Sequence, residues 1–121
     1  MRKIFTFFAI LTALSCTEET EENSQILTAK FALEGICLNN VFTIEKGSFN
    51  KNVVENWQHP ETGIIYKNAF KLSDPCKIPN KVKEGDQFKF KILSETTTSD
   101  CVVCLAFSPT PSKSLHIEWI D

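Results

Sequence analysis

Cys101-Val102-Val103-Cys104 sets two thiols three positions apart, and three chemistries use that spacing. A redox dithiol needs the pair at a helix N-terminus in a βαβ setting, where the dipole lowers the thiol pKa. Half of a zinc site needs both thiolates on a tight turn. Structural disulfides need only a suitable partner for each sulfur. The two intervening valines favour an extended chain, and CVVCLAF contains no glycine or proline, so a strand is expected here. In a strand, residues three apart face opposite ways, with Cα atoms about 10 Å apart. A disulfide tolerates at most about 7 Å. Cys101 and Cys104 are therefore expected to bond to Cys37 and Cys76, which leaves two of the three connectivities open to four cysteines. A bulge or turn at Val102 would restore the local pair. The competing chemistry is a thiol-redox or metal protein using Cys101 and Cys104 with His59 or His116.

The elements that position these cysteines read as strands. Leu27, Ala29, Phe31 and Leu33 alternate with polar neighbours, as do Phe88, Phe90 and Ile92, and again Leu115, Ile117 and Trp119. Period-2 alternation of this kind marks half-buried strands. Asn39-Asn40, Glu45 to Ser48, Pro60 to Gly63 and Glu84-Gly85-Asp86 supply turns. A short helix is expected over 49–57. The fold class is all-β with about five or six strands. Both histidines are read as solvent-facing, and Trp57, Tyr66, Phe49 and Trp119 as core residues rather than a ligand platform. No nucleophile elbow and no paired-carboxylate motif is present, so no enzyme activity, catalytic residue, cofactor or metal is expected.

The N-terminal residues speak to destination. Arg2 and Lys3 precede an uncharged apolar run, Ile4 to Ser15, in the order of a secretory signal peptide. Twelve residues at about 1.5 Å rise reach only about 18 Å, short of a hydrocarbon core of about 30 Å. Ala13-Leu14-Ser15-Cys16 resembles the lipobox of bacterial lipoproteins, which implies acylation of Cys16, as by palmitate. Thr17 to Ser24 carries four glutamates and almost nothing apolar, the composition of a disordered tether. An acidic run behind the lipidated cysteine also resembles the export signal of surface-exposed lipoproteins in some Gram-negative bacteria. The expected organisation is a signal peptide over 1–15, an acidic tether over 16–25 and one β domain over 26–121.

Charge narrows the partners. Two of the 13 basic groups lie in the signal peptide and four of the 15 acidic groups in the tether. The remainder balances at 11 of each, so neither nucleic acid nor an anionic bilayer has a basic face to meet. Cys37, then Lys77-Ile78-Pro79 ahead of KVKEGDQFKFKIL, then a cysteine and a terminal I-x-x-I are together similar to small OB-like lipoproteins of unknown function, over residues 34 to 120. That resemblance implies a small OB-like β-barrel, with a small β-sandwich as the alternative, in a lipid-anchored module of the Gram-negative cell envelope, at the outer membrane or the cell surface. Such a module would bind or support a protein or glycan partner without catalysis.

Overall fold

The computed structural model describes residues 25–79, 81–94, 101, 102 and 104–120. The expected signal peptide, Cys16 and the glutamate segment lie outside these residues. The described chain is all-β, with seven strands and three single 3-10 turns. The strands are β1 (Leu27–Leu33), β2 (Val41–Lys46), β3 (Glu55–Gln58), β4 (Ile65–Leu72), β5 (Gln87–Ile92), β6 (Ser114–Leu115) and β7 (Ile117–Ile120).

The sheet runs β3-β4-β2-β1-β5-β7, with every neighbouring pair antiparallel. β6 leaves that path and pairs with β4 in parallel, Lys71 against Ser114 and Leu72 against Leu115. Only His116 separates β6 from β7, so residues 114–120 are bonded to β4 at one end and to β5 at the other. The sheet curls back towards itself through this short contact. It does not close by a continuous antiparallel ladder, so the all-β class holds and the open sheet is consistent with the small β-sandwich alternative rather than with a closed OB-like barrel.

Five phenylalanines hold the inside together. The Phe42 ring lies 4.9 Å from Phe31, 5.7 Å from Phe70 and 5.8 Å from Phe88, and Phe90 adds contacts to Phe70 and Phe88. Each comes from an inward position of β1, β2, β4 or β5, so the aromatic cluster ties together the four strands that carry the sheet. Tilted and edge-on ring pairs at these distances add about 0.5–1.5 kcal/mol each beyond burial.

Two expectations need correction. Residues 49–57 do not form a helix: Asn50 caps a single 3-10 turn over Lys51–Val53, and β3 begins at Glu55. A 3-10 turn rarely extends beyond three or four residues, and pairing with β4 then draws the chain from Glu55 onward into the sheet. Nor do the described residues of CVVCLAF form a strand. Among the described residues 101, 102 and 104–107 there is no ladder pairing, and the segment is held by side-chain bonds instead. The β preference of valine reflects a fit to a half-buried pleat, and this stretch has none to join.

Candidate functional site: a disulfide-framed loop

The chain between β1 and β2 is the floor of the site. Cys37 and Leu38 sit consecutively at positive φ, 56° and 62°. That backbone region costs a non-glycine residue on the order of 1–2 kcal/mol. The turn is held from three directions. Asn40 Oδ1 accepts the Gly35 N–H, Asn39 Nδ2 donates to the Ile36 carbonyl, and Cys37 is bonded to Cys104.

The second bridge joins Cys76 to Cys101. Each cysteine of the CVVC stretch therefore reaches a distant partner, across 67 residues for Cys37–Cys104 and 25 for Cys76–Cys101. Their Cα separations, 5.4 and 5.5 Å, are ordinary for disulfides. The Cys76 end is set by Asp74, which is buried and accepts the Cys76 N–H to cap the 3-10 turn Pro75–Lys77. Asp74, Cys76 and Cys101 lie within ligand distance of one another. Both sulfurs are spent in the bridge, however, and one carboxylate does not make a metal site.

Beyond Cys104 the loop is pinned at further points. Asn39 Nδ2 donates to the Ala106 carbonyl at 3.2 Å. Pro111 is fully buried. Glu55 on β3 accepts from both the Ser112 N–H and its hydroxyl, at 2.7 and 2.8 Å. Lys71 on β4 donates its N–H to the Lys113 carbonyl. The loop thus lies against β3 and β4 at one end and against the Cys37 turn at the other.

Its side chains do the opposite of burying themselves. Leu105 is fully exposed, Val102 is 90 % exposed and Phe107 81 %. Ile36 and Leu38, on either side of the bridged Cys37, are exposed as well. Large apolar side chains are thus left in solvent beside a backbone held by bridges and hydrogen bonds. A depression of about 290 Å³, lined in part by Leu38, Asn39, Phe42, Lys71, Pro75 and Thr110, opens beside the loop.

Gly35 makes this close approach possible. A Cβ there would run into the Asn39 carbonyl oxygen and lie 2.8 Å from Ser108 Oγ. Gly35→Ala should therefore push Asn39 off Ala106 and lower stability by about 1–3 kcal/mol, the usual penalty for overpacking. A urea titration of the variant checks this. An unchanged midpoint would mean that residues 35–39 and the loop are not in contact.

The other sequence candidates fall elsewhere. His59 is buried, not solvent-facing, because its ring stacks edge-on against Trp57 and its Nδ1 accepts the Glu61 and Thr62 N–H groups of the β3–β4 turn. Those two bonds make this histidine a turn cap. His116 is the half-buried residue between β6 and β7, and its carbonyl accepts from Leu93. Neither histidine joins the cysteines. The four aromatics do not share a platform: Trp57 pairs with Tyr66 across the β3–β4 hairpin, Trp119 lies 4.1 Å from Phe88, and Phe49 packs on the core. Leu105, Phe107, Asn39 and the Glu55–Ser112 pair are not evident as site residues in the sequence. Comparison of the chain with protein-family models, with curated proteins and with solved structures returns no match, so the reading of this loop rests on its own geometry.

Proposed function

We propose that this protein is a non-catalytic, extracytoplasmic binding module, tethered to a bacterial envelope membrane through acylated Cys16, whose contact surface is the disulfide-framed loop. The observation that carries the reading is the pairing of opposites at residues 101, 102 and 104–113: backbone restraint from two bridges and four hydrogen bonds, and apolar side chains left in water. Rigid presentation reduces the ordering cost of binding, at about 0.5–1.5 kcal/mol for each side chain that would otherwise be immobilised. Two disulfides in a domain of this size also fit an oxidising compartment.

The point at which the chain enters β1 supports a partner other than the anchoring bilayer. The chain enters β1 at residue 27 and reaches the Cys37 turn beyond residue 33, about 20 Å further along the strand. An anchor that precedes residue 25 therefore joins at the end of β1 remote from the loop.

A photo-reactive residue at position 107, in the full-length protein on its producing cells, tests the binding reading. Discrete cross-linked species that disappear in a Leu105→Asp background are expected. Cross-linking no greater than from an exposed control position such as Lys51 would overturn it. The anchor is tested separately by Cys16→Ser, which should abolish fatty-acyl labelling and release the protein from the membrane fraction. Unchanged labelling and fractionation would remove Cys16 from the account. Protease should cut residues 17–25 readily and spare 27–120, since the tether has almost no apolar residue to bury. Protection of the glutamate segment would mean that it docks on the domain.

A further inference from the structure

We infer that the cavity beside the loop is a subsite for one sugar residue bearing a single carboxylate, a hexuronic acid, with Lys71 meeting the carboxylate and Asn40 donating to a ring oxygen. This rests on the binding reading above and gives the same face a ligand of stated chemistry.

Asn40 is the residue that points to a ligand. Only 6 % of it is exposed, and it lines the cavity just ahead of β2. Its Oδ1 accepts the Gly35 N–H, which only the amide oxygen can do, so the orientation of the group is set. Nδ2 is thereby left without an acceptor among the described residues. Nor is it sealed off: among those residues, Trp119 Nε1 is the fully buried side-chain nitrogen without a partner, so Asn40 Nδ2 keeps an opening. A donor fixed through its own oxygen and open to a cavity is preorganised for an arriving acceptor.

The sheet places the other polar groups. Lys71 on β4 and Ser114 on β6 are register partners, and the Ser73 N–H bonds to the Leu115 carbonyl, which brings Ser73 to the same wall. Thr110 comes from the loop. Among the described residues no carboxylate lines the cavity, and Lys71 forms no ion pair. Asp74, between two lining residues, turns its carboxylate to the Cys76 N–H instead. One cation without a counter-charge is complementary to one carboxylate. A phosphate or sulfate carries more charge than one lysine balances. The hydroxyls of Ser73, Thr110 and Ser114 both donate and accept, as the hydroxyls of a sugar do. Leu38 and Pro75 give the rim an apolar edge for the C–H face of a ring. A volume of about 290 Å³ sits just below the usual small-molecule range of about 300–1,000 Å³, room for one ring rather than a chain.

The test is an NMR titration of the oxidised mature protein with methyl β-D-glucuronide, methyl β-D-glucoside, acetate and inorganic phosphate. The glucuronide should bind with a Kd on the order of 1 mM, the scale for so few atoms, and shift the Asn40 side-chain amide with the backbone of residues 71–73 and 110–114. Each of the other three should bind at least about tenfold more weakly, the scale of one hydrogen bond to a charged group. Lys71→Gln, with its melting temperature unchanged, should bring the glucuronide down to the affinity of the glucoside. Asn40→Asp keeps the oxygen that accepts from Gly35 but replaces the donor with a negative charge, and should abolish glucuronide binding. Lys51→Gln, an exposed cation elsewhere, should change nothing. Absence of glucuronide shifts at Asn40 would overturn the inference, and so would equal affinity for the glucoside, acetate or phosphate. Undiminished binding to Lys71→Gln would do the same. Cross-linking from position 107 without glucuronide binding would leave the binding reading standing and remove only this ligand; loss of both would remove the two together.

Discussion

Replacing Cys37 and Cys104 by serine should lower stability by about 4 kcal/mol, and replacing Cys76 and Cys101 by about 3.5 kcal/mol. The figures come from loop-closure entropy, about 4 kcal/mol for a loop of nearly 70 residues and slightly less for one near 25. The larger loop belongs to Cys37–Cys104, with a separation of 67, and the smaller to Cys76–Cys101, with 25. For a domain of roughly 100 residues, each kcal/mol moves the melting temperature by about 4–8 °C, so either loss should cost roughly 15–30 °C. A domain typically has only about 5–15 kcal/mol in hand. Loss of both bridges should therefore leave it largely unfolded at growth temperature. Thermal melts of the two double-serine variants check the ordering. Shifts below about 5 °C would show that neither bridge constrains the unfolded chain.

The second large effect is expected at Phe42. Its ring lies within 5.8 Å of three others, and only 1 % of the residue is exposed. Phe42→Ala removes a buried aromatic and leaves a void between β1, β4 and β5, which typically costs about 3–5 kcal/mol. Val54→Ala, at the edge of the same core, removes far less volume and should cost about a third of that. Urea unfolding of the two oxidised variants measures the ratio. Equal effects would mean that the aromatic cluster is not the centre of the core. Because the β4–β6 contact is only two residues long, the curl of the sheet depends on this packing more than on its ladder.

Periodicity makes part of this fold legible in the sequence. β1, β5 and the β6–β7 stretch each bury one face, so Leu27, Ala29 and Phe31, then Phe88 and Phe90, then Leu115 and Ile117 alternate with exposed or half-exposed neighbours. β2 escapes because Val41, Phe42, Thr43 and Ile44 are all buried, and a strand covered on both faces shows no alternation. β3 and β4 escape because Ile64 and Ile65 are exposed while Asn68, at positive φ, interrupts the pleat. The refusal of a local Cys101–Cys104 ring agrees with the observed bridges, although the strand that motivates it does not form. An irregular loop drawn apart by two distant sulfurs gives the same outcome.

The candidate surface is the least legible part. Val102, Leu105 and Phe107 read as core residues by type, and only the tertiary structure leaves them in water. Asn39 reads as a turn former. It is one, through its bond to Ile36, but the same amide also reaches Ala106, 67 positions away. Glu55 and Ser112 carry no signal of their own, because a carboxylate and a hydroxyl 57 residues apart become a pair only once β3 and the loop meet.

Recognition through a fixed surface requires the loop to be formed before any partner arrives. Backbone order parameters for residues 104–113, measured by NMR relaxation in the oxidised, ligand-free protein, test that most directly. Values of about 0.85, equal to those of β1 and β5, are expected, falling on reduction of the bridges. Values below about 0.6 in the oxidised protein would contradict the preformed loop, because a segment that mobile presents no fixed surface.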